Sequence, residues 1–172
     1  MKYNLSITSV LLIILFSTNY SKAQTDSSIT ARNVIFIEGL GIGGYGSLNY
    51  ERIIPLEEKI NLSLRIGLST YQITDYTRDL NPDIIIPAGI NASYGKKHRV
   101  TLGIGQTIVN TVQANNTTFE PERTTVLHPN FSIGYRFHKS TGGLYFNLTY
   151  TPLIEYYKYF RHWAGIAIGY SF

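Results

Sequence analysis

From residue 33 to the last residue, apolar and polar positions alternate with period two, the spacing of a strand whose two faces meet different surroundings. Eight such segments stand out, at approximately 33–42, 44–54, 60–72, 84–94, 98–109, 127–138, 143–151 and 162–172. In the third, Ile60, Leu62, Leu64, Ile66 and Leu68 oppose Asn61, Ser63, Arg65, Gly67 and Ser69. In the sixth, Phe131, Ile133, Tyr135 and Phe137 oppose Asn130, Ser132, Gly134 and Arg136. The eighth sets Ala164, Ile166, Ile168, Tyr170 and Phe172 against Gly165, Ala167, Gly169 and Ser171. The first two segments are glycine-rich and their phase is the least sharp. A helical period is absent beyond the first two dozen residues, so the pattern predicts an all-β domain.

Eight alternating strands fit a soluble barrel with its apolar face inside, or an inside-out barrel with that face in lipid. The polar face separates the two. A solvated surface carries roughly 25–35% Lys, Arg, Asp and Glu; here that face is mostly Gly, Ser, Thr and Asn. Small polar residues suit a narrow lumen. Segments of about ten residues are also long enough to cross a bilayer when tilted. Connection length sorts by end. Pro55–Lys59, Gly95–Lys97 and Lys139–Gly142 are short, whereas Ile73–Asp83, Asn110–Val126 and Pro152–Arg161 are long, the tight link near Gly43 being the exception. Short turns on the periplasmic side and long ones outside are what an outer-membrane barrel has. The expected fold is therefore an eight-stranded antiparallel up-and-down transmembrane β-barrel over 33–172. The 17-residue stretch Asn110–Val126 is read as its longest loop, a length that marks a functional or disordered excursion.

Composition narrows the setting. The chain has 172 residues, 15% of them charged, with 14 Tyr and no Cys. The lack of Cys removes disulfide scaffolds, cysteine zinc sites, thiol nucleophiles and a cysteine lipid anchor. Lys2, the apolar run Ile7–Phe16 and Ser21-Lys22-Ala23 read as a signal peptide cleaved after Ala23, because the apolar run is about half of what spans a bilayer as a helix. Residues 24–32 then form a flexible leader. Without Lys2 and Lys22, the 15 basic residues fall to 13 against 11 acidic ones. That small excess, without basic runs, argues against nucleic-acid binding.

The chain ends on Phe172, preceded at alternate positions by Tyr170 and Ile168. This ending resembles the C-terminal signal read by the outer-membrane barrel assembly machinery, which is thus an expected partner beside outer-membrane lipid. The run from Glu38 to Arg52 (EGLGIGGYGSLNYER), Gly134-Tyr135-Arg136, Gly143-Leu144-Tyr145-Phe146 with Thr151-Pro152, and the closing Gly165–Phe172 resemble small outer-membrane β-barrel proteins of the Bacteroidetes type. The resemblance implies the architecture and a place in the outer membrane of a Gram-negative bacterium; it implies no assigned activity.

Parity places Glu51, Arg65 and Arg136 in the lumen, with Glu38 joining them. Charges there need partners, since desolvation costs several kcal/mol per ion. The expected role is a structural salt-bridge network, with a gated proton or ion path as the sharper reading. Eight strands leave an interior just filled by side chains, which argues against a standing pore. Tyr156, Tyr157, Tyr159, Phe160 and Trp163 cluster in the last long connection. They read as an interfacial girdle or as a surface-binding platform. His138-Lys139-Ser140 has His-x-Ser spacing but falls at a turn with no orienting carboxylate placed nearby. His128 and His162 lack a third ligand, so neither a metal nor a cofactor is expected. The leading expectation is a non-catalytic surface or envelope protein. The alternatives are a lipid-modifying enzyme of the outer rim and a soluble lipocalin-like carrier.

Overall fold

The computed structural model describes residues 29–115, 120–154 and 160–172. The signal peptide, leader residues 24–28 and Tyr156, Tyr157 and Tyr159 lie outside the described residues, as does the side chain of Phe160.

Eight strands close into one antiparallel barrel in the ring order β1-β10-β7-β6-β5-β4-β3-β2. They are β1 (Asn33–Leu40), β2 (Gly46–Pro55), β3 (Ile60–Ser69), β4 (Ile84–Gly95), β5 (His98–Ala114), β6 (Pro121–His138), β7 (Gly143–Tyr150) and β10 (Ala164–Ser171). Two short strands, β8 (Leu153–Ile154) and β9 (Phe160–Arg161), pair with each other within the connection from β7 to β10. The eight-stranded up-and-down order expected from the alternation is the order observed. The chain ends seal the ring: the Asn33 and Phe172 backbones exchange hydrogen bonds of 2.9 and 2.8 Å.

The register fixes the tilt. Stepping across the ladders from Leu40 passes through Gly165, Thr149, Gly134, Thr101, Ser93 and Asn61 to Pro55. Continuing the β1–β2 register sets Pro55 opposite position 30, a stagger of about ten residues per circuit. At about 3.3 Å per residue and 4.8 Å per strand, that stagger tilts the strands by roughly 40°. Seven of these eight positions lie on the inner face, where Gly, Ser and Thr keep the bore narrow.

The wall is inside-out. Ile37, Leu68, Ile104 and Tyr170 are each at least 60% exposed on the outer face. Inside, a small cluster of Val34, Phe36, Ile53, Tyr145 and Ala167 is surrounded by buried Ser, Thr, Asn, Arg and Glu. In water such a belt would exceed the few hundred Å² of contiguous apolar surface that soluble monomers expose.

Two expectations need correction. The Asn110–Val126 stretch is largely a hairpin: β5 and β6 stay paired from Val109↔Val126 to Ala114↔Pro121. Thr111, Val112, Thr124 and Thr125 carry the β-branched side chains that favour strands. Both faces of this β6 segment are exposed, so its polarity does not alternate although its backbone is extended. The described end of the leader is also fixed. Ile29 and Ala31 are buried, and the Thr30 and Ala31 N–H groups donate to the Ser140 carbonyl at 2.9 and 3.0 Å.

Candidate functional site

The lumen holds the charges that parity assigned to it, in two layers. In the layer toward the long connections, Arg65 of β3 reaches Glu38 of β1 past the intervening β2. Its Nη1 donates to Glu38 Oε1 at 3.1 Å, and its Nη2 donates to Oε2. Nε and Nη2 also donate to Asn49 Oδ1 at 3.1 and 2.8 Å, and Asn49 Nδ2 donates to Ser47 Oγ at 2.9 Å. All four residues are buried. Gly67 makes room for this network, since a Cβ there would lie 2.2 Å from Asn49 Oδ1.

In the layer toward the short turns, Glu51 of β2 pairs with Arg136 of β6, four strands away around the ring. Arg136 Nη1 lies 2.8 Å from Glu51 Oε1, and Nη2 donates to Oε2 at 3.1 Å. Glu51 and Arg136 are 0% and 1% exposed, so this pair ties opposite walls together through the buried interior. Phe36 and Tyr145 link the layers. Their ring centroids are 5.1 Å apart, with the Arg65 guanidinium 5.0 Å from the Phe36 centroid and that of Arg136 5.4 Å from that of Tyr145. Each contact is within cation–π range.

The sequence reading did not place two further groups, Arg99 and His138, in the lumen. Arg99 is 2% exposed, stands opposite Arg136 in the β5–β6 ladder, and donates from Nε to the Lys96 carbonyl at 2.6 Å. His138 is fully buried and so belongs to the inner wall. Both were legible: Arg99 alternates with Val100, and His138 with Phe137. Ser140, by contrast, lies in the turn that receives the leader, so His138 and Ser140 form no hydrogen-bonded nucleophile–base pair.

Both mouths are covered. At the short-turn end, residues 29–32 fold back toward Ser140. At the other end, Gly41–Gly43 forms a 3₁₀ turn across the opening. Thr107 Oγ1 of β5 donates to the Ile42 carbonyl at 2.8 Å, and Trp163 Nε1 donates to the Gly41 carbonyl at 3.0 Å. Gly41 has φ +75°, and a Cβ there would sit 2.6 Å from the Glu38 carboxyl carbon. The turn therefore rests directly on the ion-pair network. Trp163, one of the candidate surface aromatics, is thus committed to this cap and also stacks edge-on to Tyr45 with centroids 6.5 Å apart.

The candidate assembly residues Ile168, Tyr170 and Phe172 all point outward at more than half exposure. His128 is exposed on β6, and His162 Nδ1 lies 2.8 Å from the Tyr150 hydroxyl. Among the described residues, no group of three His, Cys, Asp or Glu side chains is arranged to hold a metal. Charge differs between the ends. Arg32, Arg52, Lys59, Lys96, Lys97 and Lys139 outnumber Glu57 and Glu58 at the short-turn end. Among the described side chains, Asp75, Asp79, Asp83, Glu120 and Glu122 outnumber Arg78 and Arg123 at the other.

A tilted eight-stranded wall with filled bore invites comparison with solved barrels. The fold is similar to the N-terminal β-barrel domain of Pseudomonas aeruginosa OprF. The match has a TM-score of 0.54 at 14% identity and covers 83% of this chain and 96% of that one. At that identity the likeness concerns the fold. No family model matches the chain, and no curated protein matches its sequence.

Proposed function

We propose that this chain is an integral outer-membrane β-barrel protein of a Gram-negative bacterium. Its role is non-catalytic, and structural or surface-binding through the connections at the cell exterior. The observation that carries the reading is the sidedness of the wall, with ion pairs in the bore and an aliphatic belt outside. A bilayer is the surrounding that makes both faces favourable at once. The likeness to the OprF barrel domain supports it, as do the resemblance to small Bacteroidetes-type barrels and the signal-peptide pattern. Ile168, Tyr170 and Phe172 then serve recognition by the barrel assembly machinery. Glu38, Glu51, Arg65 and Arg136 brace the barrel, and the two covered mouths disfavour free conduction. A soluble carrier would need the Ile/Leu/Phe face inside, opposite to the sidedness observed.

Separating inner and outer membranes and running the extracted protein boiled and unboiled tests this proposal. Outer-membrane location with faster migration before boiling is expected. Recovery in the soluble fraction without detergent, or identical migration in both states, would overturn it.

A further inference from the structure

The bore holds more cations than anions. Its buried charged side chains are Arg65, Arg99 and Arg136 against Glu38 and Glu51. In the layer toward the long connections, Arg65 and Glu38 cancel. In the layer toward the short turns, the Glu51 carboxylate takes both Nη1 and Nη2 of Arg136, so Arg99 is one positive charge in excess. Among the described residues, Arg99 makes no ion pair. Its Nε donates to the Lys96 carbonyl, whereas its Nη1 is buried without a hydrogen-bond partner. A guanidinium keeps its proton in proteins, and a buried ion without a counter-charge is costly.

Further donors face the same part of the bore. Arg99 and Arg136 are cross-strand partners, which sets their Cβ atoms about 5 Å apart. Arg136 Nε is also buried without a partner. His138 is fully buried two residues along β6 on the same face, at the diagonal position from Arg99, about 7 Å away. Two adjacent guanidiniums repel each other, and Glu51 neutralises only one of them. An excess of one elementary charge calls for a monovalent anion. Single N–H donors from separate side chains suit a spherical ion, which accepts from any direction. A carboxylate or phosphate favours the parallel donors of a bidentate fork, and the Nε side of the Arg99 fork is already committed to Lys96.

We infer that Arg99, with Arg136 and His138, forms a binding site for a halide-sized monovalent anion, chloride in solution, at the short-turn end of the bore. The site depends on the barrel and its lumen charges alone, not on which membrane holds it. Bromide is the probe. Crystals of the mature protein grown in sodium bromide are expected to show an anomalous bromine peak within hydrogen-bond reach of Arg99 Nη1. In chloride-free solution, the unfolding half-life at fixed temperature, followed by the fluorescence of the single Trp163, should lengthen about tenfold as sodium bromide replaces sodium gluconate at constant ionic strength. Arg99→Met should lose that dependence, and Arg99→Lys, which keeps a cation there, should retain part of it. If Arg99→Met fails to fold, the wild-type crystal decides alone. A wild-type half-life indifferent to bromide, an unchanged bromide response in folded Arg99→Met, or bromine peaks confined to the exterior, an adventitious ion only, would overturn the inference.

Discussion

At the scale of single residues, the buried Glu51–Arg136 pair makes the sharpest energetic statement. Both side chains are about 1% exposed, so removing one leaves the other charged without its partner in a low-dielectric bore. Glu51→Gln or Arg136→Met should each destabilise the barrel by about 3–5 kcal/mol. The double variant should recover a large part of that loss, because neither member of the pair is left charged without the other. Urea unfolding of protein refolded into vesicles measures all three; additive losses in the double variant would mean that the two side chains act independently. Parity alone brought Glu38, Glu51, Arg65 and Arg136 to the lumen, since a side-chain period of two leaves only two choices. Who pairs with whom was not legible. Arg65 reaches Glu38 past β2, and Glu51 crosses the bore to β6, and both depend on ring closure and stagger. Arg99 and His138 obeyed the same parity, but His138 was read as part of a turn and the alternation of the fifth segment was followed only from Val100 onward.

At the scale of elements, the connections departed furthest from the pattern of hydrophobicity. The β5–β6 hairpin keeps its ladder where polarity stops alternating, because beyond the apolar belt both faces are exposed and nothing selects one. The Gly41–Gly43 cap and residues 29–32 are held by distant backbone and side-chain groups such as Ser140, Thr107 and Trp163. Contacts of that kind leave no periodic trace. The third connection is ordered by Asp75. Its Oδ1 accepts from the Thr77 hydroxyl at 2.5 Å and from the Thr77 N–H at 2.9 Å, and its Oδ2 accepts from Asn81 Nδ2 at 3.1 Å. The Thr77 hydroxyl, then Asn81, hold the carboxyl below its ordinary 3.8. Depression of a folded-state pKa means the stabilisation is complete above the ordinary value and is lost as pH falls through the lower folded value. Protection of the amides in residues 75–81, measured relative to their intrinsic exchange rates, should therefore hold at pH 5 and fall only below about 3.8, while Asp75→Asn should weaken the pH dependence. Unchanged protection at pH 2.5 would refute this role for Asp75.

At the scale of the whole molecule, the eight strands and their order were legible because closure of an up-and-down barrel follows from alternation plus short turns. The described structure adds a bore that is braced in two layers and covered at both mouths, with opposite charge at its two ends. The central claim is that the apolar face of this wall meets lipid. Since the chain has no Cys, single cysteines can be introduced without background. Spin labels placed one at a time at residues 164–171, with the protein reconstituted in bilayers, report collision rates with oxygen and with a water-soluble nickel complex. The account predicts period-two oxygen maxima at positions 164, 166, 168 and 170, with low nickel access there. Nickel maxima at those four positions would mean that the Ile/Tyr face of β10 meets water, and the inside-out barrel would be wrong.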